Sequence, residues 1–129
     1  SLSATHVKRL ELARTDTWRR VRRVLAGRDA LLCPTMAMPP APAAKADRDR
    51  PAAHHDGKYH AEDMTAVFNL VAPCPALTVP CGWHTGDGIE GLPIGLQIVG
   101  HRWREDTVLQ VGRAVELALP ATVARRPPL

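Results

Sequence analysis

A thiol and an imidazole lie three residues apart in the sequence, at Cys81 and His84. A cysteine hydrolase needs such a pair within hydrogen-bond reach, with a third polar group that orients the base. The residues around Cys81 have the composition of a β-strand, and positions 81 and 84 of a strand point to opposite faces of the sheet. The spacing therefore favours a buried structural thiol at Cys81 over a catalytic one.

Serine chemistry has no better support in this sequence. The serines are Ser1 and Ser3, and neither lies in a Gly-x-Ser-x-Gly motif of the kind that presents a nucleophile on a sharp turn. A phosphate-binding Gly-x-x-x-x-Gly-Lys loop is also missing. From the residues alone we therefore predict no catalytic residue.

Metal-competent side chains are densest in the middle of the sequence. Their spacing matches no known ligand pattern such as His-Glu-x-x-His, and acidic residues are also favoured at the positive start of a helix. We therefore predict no metal site and no cofactor. The side chains in question are His54, His55, Asp56, His60, Glu62 and Asp63.

Cysteine usage points to reduced thiols. The number of cysteines is odd, and no Cys-x-x-Cys pair is present, so the sequence indicates neither a disulfide framework nor a zinc ribbon. Reduced, buried thiols are typical of proteins in the cytosol, and we expect a cytoplasmic location. The cysteines are Cys33, Cys74 and Cys81.

The net charge of +4 is unevenly distributed. Residues 8–28 contain eight basic and two acidic side chains, a local charge of +6, whereas the rest of the chain carries −2. A basic run can bind nucleic acid. Here the basic residues fill the polar positions of an amphipathic helix, which favours a solvated helix face, and we do not expect nucleic acid as a partner. The tryptophans Trp18, Trp83 and Trp103 do not interleave with the basic run, so we expect them to be packing residues.

The apolar spacing predicts an α/β chain in the order α-β-loop-α-β-β-α. Apolar residues recur at helical spacing in three segments, and proline or glycine bounds the three apolar strands. The last two strands are expected to pair as an antiparallel hairpin. The predicted elements are a helix at 4–26 within a basic amphipathic segment 1–27, a strand at 29–34, a long loop at 34–58, a helix at 60–71, strands at 76–81 and 92–100, a helix at 105–119 and a tail at 120–129.

Strands as apolar as these are usually covered on both faces and paired at both edges. Three strands and three helices could barely provide that cover. The pattern therefore indicates that the chain is one part of a larger sheet.

Five segments, taken in order, resemble the C-terminal third of the amidase signature enzymes. The specific part of the resemblance runs from residue 75 to residue 100, where a proline-bracketed strand is followed by GLPIGLQIVG. The segments are DALLCPT (29–35), TAVFN (65–69), PALTVPCG (75–82), GLPIGLQIVG (91–100) and the helix that contains Glu105, Leu109 and Glu116.

This resemblance implies the C-terminal segment of a mixed sheet flanked by helices, in a hydrolase of carboxamide C–N bonds. Family members use a serine nucleophile, a second serine in a cis peptide and a lysine, all upstream of the matched region. No residue of this sequence corresponds to them, so the chain is expected to be inactive alone. Two departures from the family pattern are Pro73-Cys74 before the second strand and Arg104 at a helix start.

The resemblance also implies that the chain supplies wall and core to the substrate pocket of the intact enzyme. The candidate substrate-binding residues are Thr35, Asp63, Met64, Thr65, Phe68 and Asn69. The expected partners are a small-molecule amide substrate and the N-terminal part of the enzyme, or a second copy through self-association. An alternative is a non-catalytic subunit that completes the sheet of another chain.

Neither a membrane span nor a secretory signal is expected. The longest apolar stretch, residues 92–99, contains Pro93 and Gly95 and falls far short of the roughly 20 residues that cross a bilayer. The opening residues lack a charged segment followed by an apolar one, which is the pattern of a signal peptide.

Overall fold

A computed structural model describes the chain at residues 3–39, 64–71, 73–86 and 90–126. Within these residues a three-stranded sheet is flanked by helices, so the predicted α/β class is confirmed. The elements are α1 Ala4–Leu25, β1 Ala30–Pro34, α2 Ala66–Leu70, β2 Ala76–Trp83, β3 Pro93–Gly100, α3 Glu105–Ala118 and α4 Pro120–Ala124.

The described sheet has the strand order β1-β3-β2, and both pairings are antiparallel. Leu77 lies opposite Ile98 and Val79 lies opposite Leu96, which confirms the predicted hairpin. The register shifts between Pro80 and Gly82, where a bulge bends β2. The central strand is therefore β3, whose second half is buried.

Helix α3 covers one face of the sheet. Side chains alternate along a strand, so Ile98 and Leu96 of β3 face the same side as Leu77 and Val79 of β2. Val79 and Ile98 form a buried cluster with Val108 of α3. We call this side of the sheet the α3 face.

Helices α1 and α2 cover part of the opposite face, which we call the α1 face. Val21 and Leu25 of α1 form a buried cluster with Val71, and Leu31 and Phe68 pack against it. Arg14 Nε donates a hydrogen bond of 2.8 Å to the carbonyl oxygen of Leu70, which fastens α1 to the end of α2. The core is therefore two small clusters, one on each side of the sheet.

The edge strand β1 is less covered than the sequence predicts. A strand buried on both faces was expected, but Leu32 is 50% exposed and Pro34 is also exposed. On the α1 face, Ala76 and Thr78 of the other edge strand are exposed too. The described helices therefore leave apolar sheet surface open on both sides.

Three local features differ from the sequence-based expectations. Trp103 is not a packing residue: it is 72% exposed and has a positive φ of 62°. Helix α2 begins only at Ala66, whereas a helix from residue 60 was expected; residues 60–63 lie outside the described residues. The expected tail contains helix α4, with Pro120 in its first turn, where a proline is well tolerated.

The basic residues of α1 lie on its exposed side, as expected for a solvated helix face. Lys8 Nζ pairs with Glu11 Oε2, and Arg19 Nη1 pairs with Asp16 Oδ1, each at 2.8 Å. The hydrogen bond from Lys8 lowers the pKa of Glu11 below its usual value. Exposed pairs of this kind contribute little to stability.

Arg104 is the N-cap residue of α3 and makes no side-chain capping bond, as expected for arginine at this position. Its Nε and Nη2 instead donate to the two carboxylate oxygens of Asp106, each at 2.9 Å. These hydrogen bonds lower the pKa of Asp106, which lies in the first turn of α3. A carboxylate there interacts favourably with the helix dipole.

Among the residues that the structure describes, no helix is both long enough and apolar enough to cross a membrane.

Candidate functional site

Thr35, the first candidate residue, directly follows β1 and joins two other parts of the chain. Its backbone N–H donates to the carbonyl oxygen of Gly95 at 3.0 Å, and its own carbonyl oxygen accepts from the N–H of Met64 at 3.2 Å. The end of β1 therefore holds the segment before α2 against the sheet. Thr35 and Met64, 29 residues apart in sequence, are neighbours in the fold.

Gln97 holds the same segment from the central strand. Its side chain is on the α1 face and is only 2% exposed, and its Nε2 donates to the carbonyl oxygen of Met64 at 3.3 Å. The same nitrogen lies 3.3 Å from Cys33 Sγ. A buried amide needs such partners, because leaving it unsatisfied costs roughly 1–3 kcal/mol. Gln97 is therefore a positioning residue that the sequence analysis missed.

The other candidates lie at the start of α2. The carbonyl oxygen of Thr65 accepts from the N–H groups of Phe68 at 3.0 Å and Asn69 at 3.2 Å, which forms the first turn. Phe68 packs against the core cluster of Val21, Leu25 and Val71, whereas Asn69 is exposed. Asp63 lies outside the described residues. A pocket-wall role for these residues stays a prediction.

Two threonine hydroxyls meet above Gly95 on the α1 face. Thr35 from the end of β1 and Thr78 from β2 reach across β3, and their Oγ1 atoms are 3.4 Å apart. A Cβ atom on Gly95 would lie 2.7 Å from Thr35 Oγ1 and 2.9 Å from Thr78 Cγ2. The missing side chain at Gly95 is therefore what allows the two hydroxyls to approach.

Replacing Gly95 with alanine is expected to lower the free energy of unfolding by about 1 kcal/mol, since the added methyl overpacks the threonine pair. Thermal unfolding monitored by circular dichroism measures the change. The cost should be smaller in a Thr35→Ala background, where one of the two close neighbours is gone. An equal cost in both backgrounds would contradict the steric explanation.

Two grooves adjoin the threonine pair and share Pro93, Ile94 and Gly95. The first, which we call the methionine groove, has a volume of about 520 Å³ and is lined by Thr35 and by the exposed Met36 and Met38. The second, which we call the arginine groove, has a volume of about 400 Å³. It is lined by Thr78, Pro80, Trp83, Thr122, Val123, Arg125 and Arg126, besides the shared residues.

The thiols do not form a catalytic pair in the described part of the chain. Cys33, Cys74 and Cys81 are free, as predicted, but each is only partly buried, whereas buried thiols were expected. No hydrogen bond joins Cys81 to His84 among these residues. Burial raises the pKa of the Cys74 thiol, and the nearby Arg102 guanidinium opposes this effect. Cys74 is therefore a protonated thiol at neutral pH and a weak nucleophile.

The described residues contain no group of three or more His, Cys, Asp or Glu side chains that could hold a metal ion. The histidine-rich cluster identified in the sequence, residues 54–63, lies outside them. What the described site offers is hydroxyls, backbone amides and guanidinium groups beside apolar walls. Such groups can bind and orient a ligand.

Comparison with known proteins assigns the family. The family model described as Amidase matches residues 1–109, which is most of the chain. The chain therefore belongs to the amidase family, as the segments from residue 29 to residue 116 predicted.

Individual relatives agree with this assignment. The chain is 44% identical over 92 residues to a glutamyl-tRNA(Gln) amidotransferase subunit of Cyanothece sp., a match that covers 71% of the chain. It is 36% identical over 93 residues to a fatty acid amide hydrolase of Medicago truncatula, which covers 68% of the chain. These matches span only 17% and 14% of the length of the two relatives.

Solved structures show the same fold. A bacterial aryl acylamidase of the amidase signature family superposes with a TM-score of 0.72 at 27% identity, over 99% of this chain and 27% of that one. The corresponding glutamyl-tRNA(Gln) amidotransferase subunit of Thermotoga maritima gives a TM-score of 0.63 at 25% identity, over 84% of this chain and 21% of that one. The chain thus corresponds to about a quarter of these enzymes.

Proposed function

We propose that this chain is the C-terminal part of a hydrolase of carboxamide C–N bonds, and that it supplies pocket wall and core while the reactive centre comes from outside this sequence. The share of the relatives that it spans supports this proposal, because 17% of an amidotransferase subunit leaves ample room for a reactive centre elsewhere. The reaction would be attack of a serine on the amide carbonyl, release of the amine, and hydrolysis of the acyl-serine by water.

The single observation that carries the proposal is that the described part of this amidase-family chain pairs no serine with a base or a lysine. The Ser3 hydroxyl caps α1 by accepting a hydrogen bond of 3.2 Å from the His6 N–H. Lys8 is ion-paired with Glu11, which raises its pKa and keeps it protonated. In the described part of the chain, Ser3 and Lys8 therefore do not form the serine–base pair that acyl transfer requires.

Exposed apolar side chains support the same proposal. Leu32 on the α3 face and Leu10 on α1 are each about half exposed. In the methionine groove Met36, Met38 and Ile94 are exposed to a similar degree. Surfaces of this kind are normally covered in a finished protein, so they suit contact with the remaining part of the enzyme.

A second candidate function is a non-catalytic subunit that pairs with another chain. The open edge and exposed Leu32 of β1 favour it, since an unpaired strand edge is a template for association. Light scattering separates the two functions. A subunit that completes another chain is expected as a dimer or as a complex with a co-purified chain. A stable monomer that binds no hydrophobic dye would contradict obligatory pairing.

The direct test of the hydrolase proposal uses the 129-residue chain and an aryl amide such as 4-nitroacetanilide. The chain alone is expected to release no nitroaniline above buffer and to resist labelling by a fluorophosphonate serine probe. A chimera in which this chain replaces the matching quarter of the aryl acylamidase is expected to hydrolyse the amide. The acylamidase without that quarter is the control.

Turnover or probe labelling of the chain alone would contradict the proposal. A chimera that folds, as judged by circular dichroism, and still fails to hydrolyse the amide would contradict it equally.

A further inference from the structure

We infer that the arginine groove binds a ligand that joins a carboxylate to a flat apolar body. The groove lies at the β2 edge of the sheet, where the segment after α4 returns to the end of the hairpin. Two arginines, a tryptophan and two threonines line it beside apolar walls. This inference does not depend on the proposed amide hydrolysis.

Trp83 holds the guanidinium of Arg125 in place. Its Cζ lies 4.6 Å from the centroid of the Trp83 ring, within the range of a cation–π contact. Stacking on an aromatic face leaves the N–H groups at the rim of the guanidinium free to donate in its plane. Arg125 is therefore oriented before any ligand arrives, which reduces the entropy lost on binding.

The lining of the arginine groove is positively charged. Among the residues that the structure describes, neither Arg125 nor Arg126 forms an ion pair, whereas Arg19, Arg104 and Arg113 each contact a carboxylate. Two adjacent guanidinium groups without a counter-ion favour an anion, and a planar carboxylate accepts two parallel N–H donors from one of them.

The remainder of the ligand would contact apolar walls. Pro80, Pro93, Ile94 and Val123 form the apolar part of the lining, and the volume of about 400 Å³ lies in the range of small-molecule sites. A bare phosphate would leave these walls without contact. An aryl or short alkyl group next to the carboxylate would cover them and gain from apolar burial.

The arginine side of the groove is not part of the family match. Residues 125 and 126 lie beyond residue 109, where the match to the Amidase model ends. The family model therefore assigns no role to Arg125 or Arg126.

The test compares 4-phenylbutyrate with 4-phenylbutyramide, which differ mainly in the charge of one end. Binding to the full chain is measured by isothermal titration calorimetry. The acid is expected to bind at least about tenfold more tightly than the amide, the effect of one charge-assisted hydrogen-bond pair. Inorganic phosphate at the same concentration is expected not to displace the acid.

The variants assign the effect to the groove. An Arg125→Gln/Arg126→Gln double variant is expected to bind acid and amide within about twofold of each other. The matched control is Arg20→Gln/Arg23→Gln on α1, which removes the same charge from exposed arginines that do not line the groove. This control should still bind the acid more tightly than the amide. Trp83→Leu should weaken binding of the acid, with the urea midpoint confirming that each variant folds.

Three results would overturn the inference. Equal affinity for acid and amide would show that the arginines do not recognise a carboxylate. An equal loss in the α1 control would mean that only net charge matters. Displacement of the acid by phosphate would mean that the apolar walls contribute nothing.

Discussion

Replacing Ile98 with alanine is expected to lower the free energy of unfolding by about 4 kcal/mol, the range found for large-to-small changes in a packed core. Ile98 is fully buried in the central strand, opposite Leu32 of β1 and Leu77 of β2. It also contributes to the buried cluster under α3. The cavity left by the change cannot close without moving three strands, and urea unfolding followed by far-ultraviolet circular dichroism measures the loss.

Leu32→Ala is the matched control for this change. Leu32 lies on the same face directly opposite Ile98, but it is 50% exposed, so its loss should cost about 1 kcal/mol or less. Similar midpoints for the two variants would contradict the burial pattern. The control also bears on the proposed function: in an enzyme that covers the α3 face beside β1, Leu32→Ala should become much more costly.

The sequence predicted an element well where its apolar residues recurred with a single period, either that of a helix or that of a strand. The helix expected at 4–26 is found at Ala4–Leu25, and the strands and α3 begin and end within two residues of their predicted limits. The hairpin followed from two apolar runs bounded by proline and glycine. The structure adds its register, in which a slip of one residue would turn Leu77 and Val79 away from α3.

The features that the sequence did not predict depend on contacts between distant segments. Helix α4 is only five residues long and begins at a proline, which taken alone reads as the end of a helix. Tryptophan is a residue type that is usually largely buried. Trp103 is nevertheless exposed, because it lies with a positive φ in the turn between β3 and α3. The half-exposed Leu32 of β1 shows that a strand of apolar residues is not always covered on both faces.

The candidate site was predicted only in outline. The resemblance to amidases singled out Thr35 and Met64, and the structure makes them neighbours through a backbone hydrogen bond. It did not single out Thr78, Gly95 or Gln97, whose roles follow from the register of three strands. An amide side chain in an otherwise apolar strand was the signal that could have identified Gln97.

Gly112→Val is expected to lower the free energy of unfolding by about 2 kcal/mol, even though valine favours a helix more than glycine does. Gly112 is buried in α3 where the helix rests on the sheet. A Cβ atom there would collide with Leu77 Cδ2 and would also contact Ile98 Cδ1 and Val79 Cγ1, each at 3.7 Å. The helix must therefore move away from the α3 face, or the leucine must leave its rotamer.

The control is Ala114→Val, which places the same side chain two residues further along α3 at an exposed position. Its cost should be about 0.5 kcal/mol, the difference in helix propensity alone. Thermal unfolding of both variants separates the two causes. If Ala114→Val lowered the stability as much as Gly112→Val, the loss would not be specific to the buried position, and close packing of α3 on Leu77 would not be what holds this side of the sheet together.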